Sequence, residues 1–300
     1  MTGELDRGAI RQHLTGPISS LPVPFTAAGE IDLNGLNAII DFNLSGGSQS
    51  SLLTWGDSLF SLLTDDEVAT VTAAVARHTG NRGLTVAADG IWWTGKTIEF
   101  ARYCREVGVD VLMVKPPVWS LPPTPDFVAH YQAVAAEIPV MLVTNVFAGA
   151  EALGLEVLEQ TLATVPGVVA VKDDVGGNFA RKLTMRCSDQ WAVFAGGQKQ
   201  NHLDLAHYGT CGYMSTFVSF FPQVSRTYWA TIAAGVIAAH DWPLFDHIAA
   251  VRGGLDAERH GLLEIYRIAG RHRRAPYPSF TEAELEELRT FCRARGWAPP

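Results

Sequence analysis

The segment Val165-Pro-Gly-Val-Val-Ala-Val-Lys172-Asp-Asp-Val-Gly-Gly177 is a short apolar run that ends in a single lysine. An uninterrupted apolar, β-branched run bounded by turn residues predicts a strand that is buried on both faces, as in a parallel sheet. Lys172 is then expected where this strand leaves the core. Burying an ammonium is costly, which favours the neutral amine that attacks a carbonyl carbon. A lone lysine at a strand end can also turn to solvent or pair with Asp173 or Asp174, so this segment alone leaves its role open.

The rest of the chain repeats the same pattern of a strand followed by a helix. Strands are predicted to end near residues 23, 54, 88, 115, 143, 172, 195 and 216. Eight such units, one roughly every 20–35 residues, predict a (β/α)₈ TIM barrel. The alternative is a doubly wound open sheet, which is disfavoured because no Gly-x-Gly-x-x-Gly motif follows the first strand.

The strand pattern stops near residue 222, and helical patterns cover 223–240, 243–271 and 281–295. We therefore predict two regions. Residues 1–222 form the barrel, and residues 223–300 form a C-terminal helical region packed on the barrel or on a neighbouring subunit. The arginine-rich stretch at 267–274 is short, and we expect it to be a solvated helix end.

Composition narrows the class of protein. The net charge of −8 and the lack of a basic stripe argue against a nucleic-acid partner. The four cysteines form no CxxC pair, so they indicate neither a zinc site nor a disulfide framework. The N-terminus lacks a signal-peptide pattern, and no apolar run is long enough to span a membrane. We expect a cytoplasmic enzyme with no membrane partner.

In a (β/α)₈ enzyme the active site lies at the carboxyl ends of the strands. The residues predicted there include no histidine or cysteine and no group of three carboxylates, so we expect no metal and no cofactor. Two of the five lysines of the chain, Lys115 and Lys172, end barrel strands. Lys115 is the rival nucleophile, although Pro116 and Pro117 after it turn the chain and could carry it outward. If Lys172 is the nucleophile, Lys115 could hold a substrate carboxylate.

Several of these segments resemble the dihydrodipicolinate synthase / N-acetylneuraminate lyase family of lysine-dependent class I aldolases. They are Pro22-Val-Pro-Phe-Thr26, Gly108-Val-Asp-Val-Leu-Met-Val-Lys-Pro116, Pro139-Val-Met-Leu-Val-Thr-Asn-Val146 and Gly167-Val-Val-Ala-Val-Lys172. The resemblance implies that Lys172 forms a Schiff base with pyruvate or another 2-oxo acid. It also implies a homo-oligomer, a dimer or a tetramer. We further expect Asn145, Gly196, Gly197 and Met214 at the substrate.

Two departures from the family pattern affect function. The family's strand-five tyrosine, which moves a proton, is replaced by Thr144, whose hydroxyl is far less acidic. A water held by Thr144, or Asp89, Asp173 or Lys115, would then have to carry the proton.

The second departure lies after strand two, where the family's carboxylate-binding Gly-Thr-Thr-Gly-Glu motif is absent. Asp57 and Ser58 are candidates for part of its role. Asp57 would repel a carboxylate unless it is protonated or paired.

Two functions follow from this pattern. The first is a Schiff-base lyase of the aldolase or dehydratase type, with Lys172 and Thr144 as catalytic residues and a small 2-oxo acid as substrate. The second is a repurposed, non-catalytic barrel that binds a small carboxylic acid as a sensor or partner protein. The lost tyrosine and the altered loop motivate the second hypothesis, because one barrel fold hosts many functions.

Overall fold

Eight short parallel strands form the centre of the molecule, which we describe from a computed structural model over residues 7–117, 119–196, 199–233 and 255–297. The strands are Gly16–Ile18 (β1), Ser50–Leu52 (β2), Leu84–Ala88 (β3), Val111–Val114 (β4), Val140–Val143 (β5), Val168–Asp173 (β6), Ala192–Ala195 (β7) and Gly212–Met214 (β8). Their order in the sheet is β1-β8-β7-β6-β5-β4-β3-β2. A parallel bridge between Ser20 and Leu52 joins the two ends, so the sheet closes into a (β/α)₈ barrel. The predicted fold class is confirmed.

Helices follow the strands around the barrel. They are Arg7–His13 (α1), Leu33–Ser45 (α2), Asp65–Thr79 (α3), Thr94–Val107 (α4), Thr124–Ala135 (α5), Glu151–Thr164 (α6), Gly177–Cys187 (α7), Lys199–Leu205 (α8), Pro222–Ala233 (α9), Leu255–Ile265 (α10) and Glu282–Ala294 (α11). The Thr64 hydroxyl accepts from the Glu67 N–H, and the Glu67 carboxylate accepts from the Thr64 N–H, so a capping box begins α3. Among the described residues, no helix has the length and apolar character needed to cross a membrane.

The first strand differs from its prediction. The sequence suggests a strand over 18–24, but β1 occupies Gly16–Ile18 and the chain then runs irregularly to Pro24. Pro22 and Pro24 have no N–H to donate to a ladder, which ends the pairing early. The short helix α1 before it was not predicted. It buries Ile10, and its Arg11 donates to the Trp191 carbonyl just before β7, at the end of the barrel opposite the carboxyl ends of the strands.

The ring of helices extends past residue 222. Helix α9 packs against β1, and its Trp229 stacks on Tyr213 of β8 with ring centroids 6.3 Å apart. Helix α9 therefore occupies the place of the eighth barrel helix. Residues 234–254, within the predicted helices 223–240 and 243–271, lie outside the described part of the chain.

The C-terminal segment is tied to the barrel by arginines. Helix α10 ends at Ile265 rather than at 271, and the expectation of a solvated, arginine-rich helix end is wrong. Arg274 makes a bidentate ion pair with Glu67, with both N–O distances 2.8 Å, and also donates to the Gly29 carbonyl. This hydrogen bonding lowers the pKa of Glu67 to about 2. A planar guanidinium suits such multiple contacts, which explains why Arg274 turns towards the barrel instead of solvent.

Candidate active site

Lys172 lies at the carboxyl end of β6 and is buried, with 9% of its surface exposed. Its ammonium is in contact with both carboxylate oxygens of Asp174. Side chains two residues apart along a strand point to the same face, so Lys172 and Asp174 share the interior of the barrel mouth. The lysine is therefore neither isolated in an apolar pocket nor turned to solvent. It is held by a carboxylate at the place where a barrel enzyme performs its chemistry.

Thr144 follows β5 directly and is fully buried beside the end of β6. Its hydroxyl donates to Asp173 Oδ1 at 2.8 Å, and its oxygen accepts from the backbone N–H of Asp174, also at 2.8 Å. The single hydroxyl proton is thus engaged in the fold. Thr144 therefore links the end of β5 to the end of β6, where Lys172 lies.

Asp173 faces away from the lysine and is completely buried. Besides the Thr144 hydroxyl, its carboxylate accepts from the backbone N–H of Gly176 at 3.0 Å and of Val175 at 3.4 Å. Burial raises the pKa of Asp173, against the lowering effect of these hydrogen bonds. This carboxylate shapes the turn that follows β6.

Gly196 borders the pair from β7. A Cβ at position 196 would lie 1.9 Å from Asp174 Oδ1, 2.8 Å from Lys172 Nζ and 2.8 Å from the Asp173 carbonyl oxygen. The missing side chain therefore leaves the room that the Lys172–Asp174 pair occupies. Gly197, which was predicted together with it, lies outside the described residues.

Lys115, the rival lysine, is half-buried after β4. Its ammonium lies 5.9 Å from the centre of the Trp55 ring, a distance that fits a weak cation–π contact. The Trp55 indole N–H in turn donates to the Asp89 carbonyl at 2.7 Å. Lys115 thus belongs to a group on the β2 to β4 side of the mouth.

Asp57 belongs to a polar cluster that the sequence did not reveal. Its carboxylate accepts from the Ser20 hydroxyl and lies 3.5 Å from the guanidinium of Arg259 on α10. Arg259 is almost fully buried and also donates to the Ser19 and Ser219 hydroxyls, both at 2.7 Å. Asp57 is therefore paired with a positive charge. A paired Asp57 would not repel a substrate carboxylate as an isolated carboxylate would.

Replacing Arg259 by lysine should destabilise the protein by about 2–4 kcal/mol. A single ammonium cannot reproduce the contacts that the forked guanidinium makes with the residues after β1 and β8 and with Asp57. The buried serine hydroxyls would therefore lose a hydrogen-bond donor. Urea unfolding followed by circular dichroism measures the effect. The matched control is Arg289→Lys in the surface pair with Glu286, which should change stability by less than about 0.5 kcal/mol. Equal midpoints for Arg259→Lys and wild type would contradict this account of the cluster.

The remaining predicted residues lie in different settings. The Ser58 hydroxyl donates to the Leu21 carbonyl at 2.6 Å and accepts from the Thr54 N–H at 2.9 Å, so it joins the loop after β2 to the irregular segment after β1. Asn145 is exposed on the 3₁₀ turn after β5, and Met214 is buried at the end of β8. Over the described ranges, no three His, Cys, Asp or Glu side chains are grouped as metal ligands.

A closed (β/α)₈ barrel with a buried lysine at the carboxyl end of a strand is an arrangement typical of lysine-dependent lyases and aldolases. A sequence model of the Dihydrodipicolinate synthetase family matches residues 13–242. The chain is 30% identical to a 4-hydroxy-tetrahydrodipicolinate synthase of Sorangium cellulosum over 236 residues, which cover 76% of this chain and 78% of that protein.

Solved structures show the same fold. A putative dihydrodipicolinate synthetase from Pseudomonas aeruginosa superposes with a TM-score of 0.78 at 22% identity, over 93% of this chain and 98% of that chain. An N-acetylneuraminate lyase from Fusobacterium nucleatum superposes with a TM-score of 0.76 at 15% identity, over 94% and 99%. The chain belongs to the dihydrodipicolinate synthetase family. It is an enzyme of the class I aldolase and lyase type.

Proposed function

We propose that this enzyme is a lyase of the aldolase or dehydratase type that forms a Schiff base between Lys172 and pyruvate or another 2-oxo acid. The observation that carries the proposal is the buried Lys172 at the carboxyl end of β6, whose ammonium occupies, with Asp174, the room that the missing side chain of Gly196 leaves. An imine at this nitrogen withdraws electrons from the neighbouring carbon, which supports cleavage of a C–C or C–O bond there. The family membership supports the same chemistry.

Borohydride trapping tests this proposal. The wild-type enzyme is incubated with pyruvate or with a panel of 2-oxo acids, reduced and digested, and the peptides are analysed by mass spectrometry. We expect a reduced adduct on the peptide that contains Lys172. Folded protein that binds 2-oxo acids without an adduct and without turnover would instead favour a non-catalytic acid-binding role.

Thr144 fits a positioning role within this function. The hydrogen bonds that its hydroxyl makes to Asp173 and to the Asp174 N–H fix the segment that follows Lys172.

The Arg259–Asp57 cluster at the ends of β1, β2 and β8 lies across the mouth from β6. Its opposite charges offset each other, so the carboxylate of a 2-oxo acid can enter this side without net repulsion.

We also propose that the chain assembles as a cytoplasmic homo-oligomer. Trp93 and Trp119 are exposed by 66% and 103%, and Leu121, two residues after Trp119, is also exposed. Large exposed apolar side chains of this kind are typical of interfaces. Cys104, Cys187, Cys211 and Cys292 are buried free thiols, which suits a reducing compartment. Sedimentation at micromolar concentration should give a multiple of 32.5 kDa, and a purely monomeric species would contradict the oligomer.

A further inference from the structure

In the part of the chain that the structure describes, the carboxylate of Asp174 is the proton acceptor that contacts the Lys172 nitrogen. Among the described residues, the Lys172 ammonium is hydrogen-bonded to Asp174 and to no tyrosine hydroxyl. An ammonium has no lone pair, so it must lose a proton before it attacks a carbonyl. We infer that Asp174 is a catalytic acid–base that moves protons during imine formation and hydrolysis, in place of the absent strand-five tyrosine. This inference rests on the proposed function.

The neighbouring carboxylate does not fit this role. Asp173 is fully buried, and its oxygens accept from the Thr144 hydroxyl and from two backbone N–H groups. A carboxylate held in this way cannot move towards a reacting group. Asp174 differs because its side chain lies on the lysine's face of the strand, with 19% of its surface exposed. It therefore reaches both the nitrogen and an incoming substrate.

The surrounding structure keeps Asp174 in place without using its side chain. Its backbone N–H donates to Thr144 Oγ1 at 2.8 Å, which fixes the main chain. Gly196 leaves the space beside the carboxylate, because a Cβ there would overlap Asp174 Oδ1. A general acid or base must lie within hydrogen-bond reach of the proton that it transfers, and Asp174 satisfies this condition.

The proton transfers balance as follows. Asp174 takes a proton from the ammonium, and the freed amine forms a bond to the carbonyl carbon of the 2-oxo acid. The carbonyl π electrons move to oxygen, which receives the proton from Asp174. Asp174 then removes a second proton from the new C–N⁺ nitrogen and gives it to the hydroxyl, which leaves as water while the C=N bond forms. The net change is ammonium plus ketone to iminium plus water, and Asp174 ends as a carboxylate beside the iminium cation.

The test measures the rate at which pyruvate becomes trappable by borohydride on Lys172, in Asp174→Asn and in Asp174→Ala. The asparagine is isosteric and keeps the backbone bond to Thr144, so it preserves the fold, and equal thermal melting checks this. The alanine opens a space that formate can enter as a small external carboxylate. Asp189→Asn is the matched control, because Asp189 is exposed in the turn after α7 at the other end of the barrel.

We expect both Asp174 variants to form the adduct about 10²–10⁴-fold more slowly than wild type. Formate should restore part of the rate in Asp174→Ala and none in Asp174→Asn, while Asp189→Asn keeps the wild-type rate. A wild-type rate in Asp174→Asn would overturn the inference. A slow Asp174→Ala that formate does not accelerate would also overturn it, since Asp174 would then only position the lysine. An absence of adduct in the wild type would instead refute the proposed function, and this inference with it.

Discussion

Replacing Lys172 by arginine should abolish imine formation and lower turnover by about 10⁴-fold or more. A guanidinium stays protonated at all accessible pH values and cannot attack a carbonyl. The fold should survive, because arginine retains a positive charge that pairs with the Asp174 carboxylate. Turnover of a 2-oxo acid and borohydride trapping on the same preparation provide the two measurements.

Lys115→Arg is the matched control for this variant. It changes the other lysine that ends a barrel strand, and it keeps a cation near the Trp55 ring. We expect this control to form the Lys172 adduct at a rate close to that of wild type. If the adduct appears on Lys115, or persists when Lys172 is arginine, the assignment of the nucleophile is wrong. Lys172→Ala is a poorer test, because it leaves the partly buried Asp174 carboxylate without its counter-charge.

The barrel was predictable because its signal is local and repeated. Each buried strand is a short apolar run, and each run is followed by a helix-forming segment, so eight repeats specify both the strand order and the closure. The end of β6 was predicted within one residue, at Lys172 against Asp173 in the structure. The predicted position of the first strand is wrong because its prolines lie within an apolar run. The apolar pattern does not show which N–H groups donate hydrogen bonds to the neighbouring strand.

The candidate site was predictable only in part. The pairing of Lys172 with Asp174 rather than with Asp173 follows from the two-residue alternation of a strand, which is a signal that the sequence contains. The position of Arg259 was not accessible, because it contacts serines about 240 positions earlier in the chain. No periodicity relates such distant residues. Only the packing of α10 on the barrel brings them together.

Asp89 has a buried carboxyl group whose charge state should control stability. It follows β3, is fully buried, and accepts from the Ile91 N–H at 3.1 Å. Its other oxygen lies 3.5 Å from the Thr97 hydroxyl on α4, so the group faces the helix layer. Burial raises the pKa of Asp89 from 3.8 to about 7. The native state therefore binds a proton between these two values that the unfolded chain does not bind.

Asp89→Asn should consequently stabilise the protein at pH 8 and have little effect near pH 4. For a carboxyl whose pKa is raised on folding, the stabilising contribution is complete below pH 3.8 and is lost as the pH rises through about 7. At about 1.4 kcal/mol per pH unit, the loss reaches at most about 4 kcal/mol. Asparagine resembles the protonated acid in shape and carries no charge, so the variant avoids this loss.

The free energy of unfolding in urea is measured at pH 4.5 and at pH 8 for Asp89→Asn and for wild type. The difference between the two proteins isolates the contribution of Asp89, because the other titrating groups are common to both. The difference in unfolding free energy should favour Asp89→Asn at pH 8 and shrink towards zero as the pH falls. Asp189→Asn, an exposed change of the same chemistry, should show no such trend. A constant difference between Asp89→Asn and wild type at both pH values would mean that Asp89 keeps one charge state throughout. Its buried carboxyl would then be ionised and compensated by its hydrogen-bond donors, with no proton bound on folding.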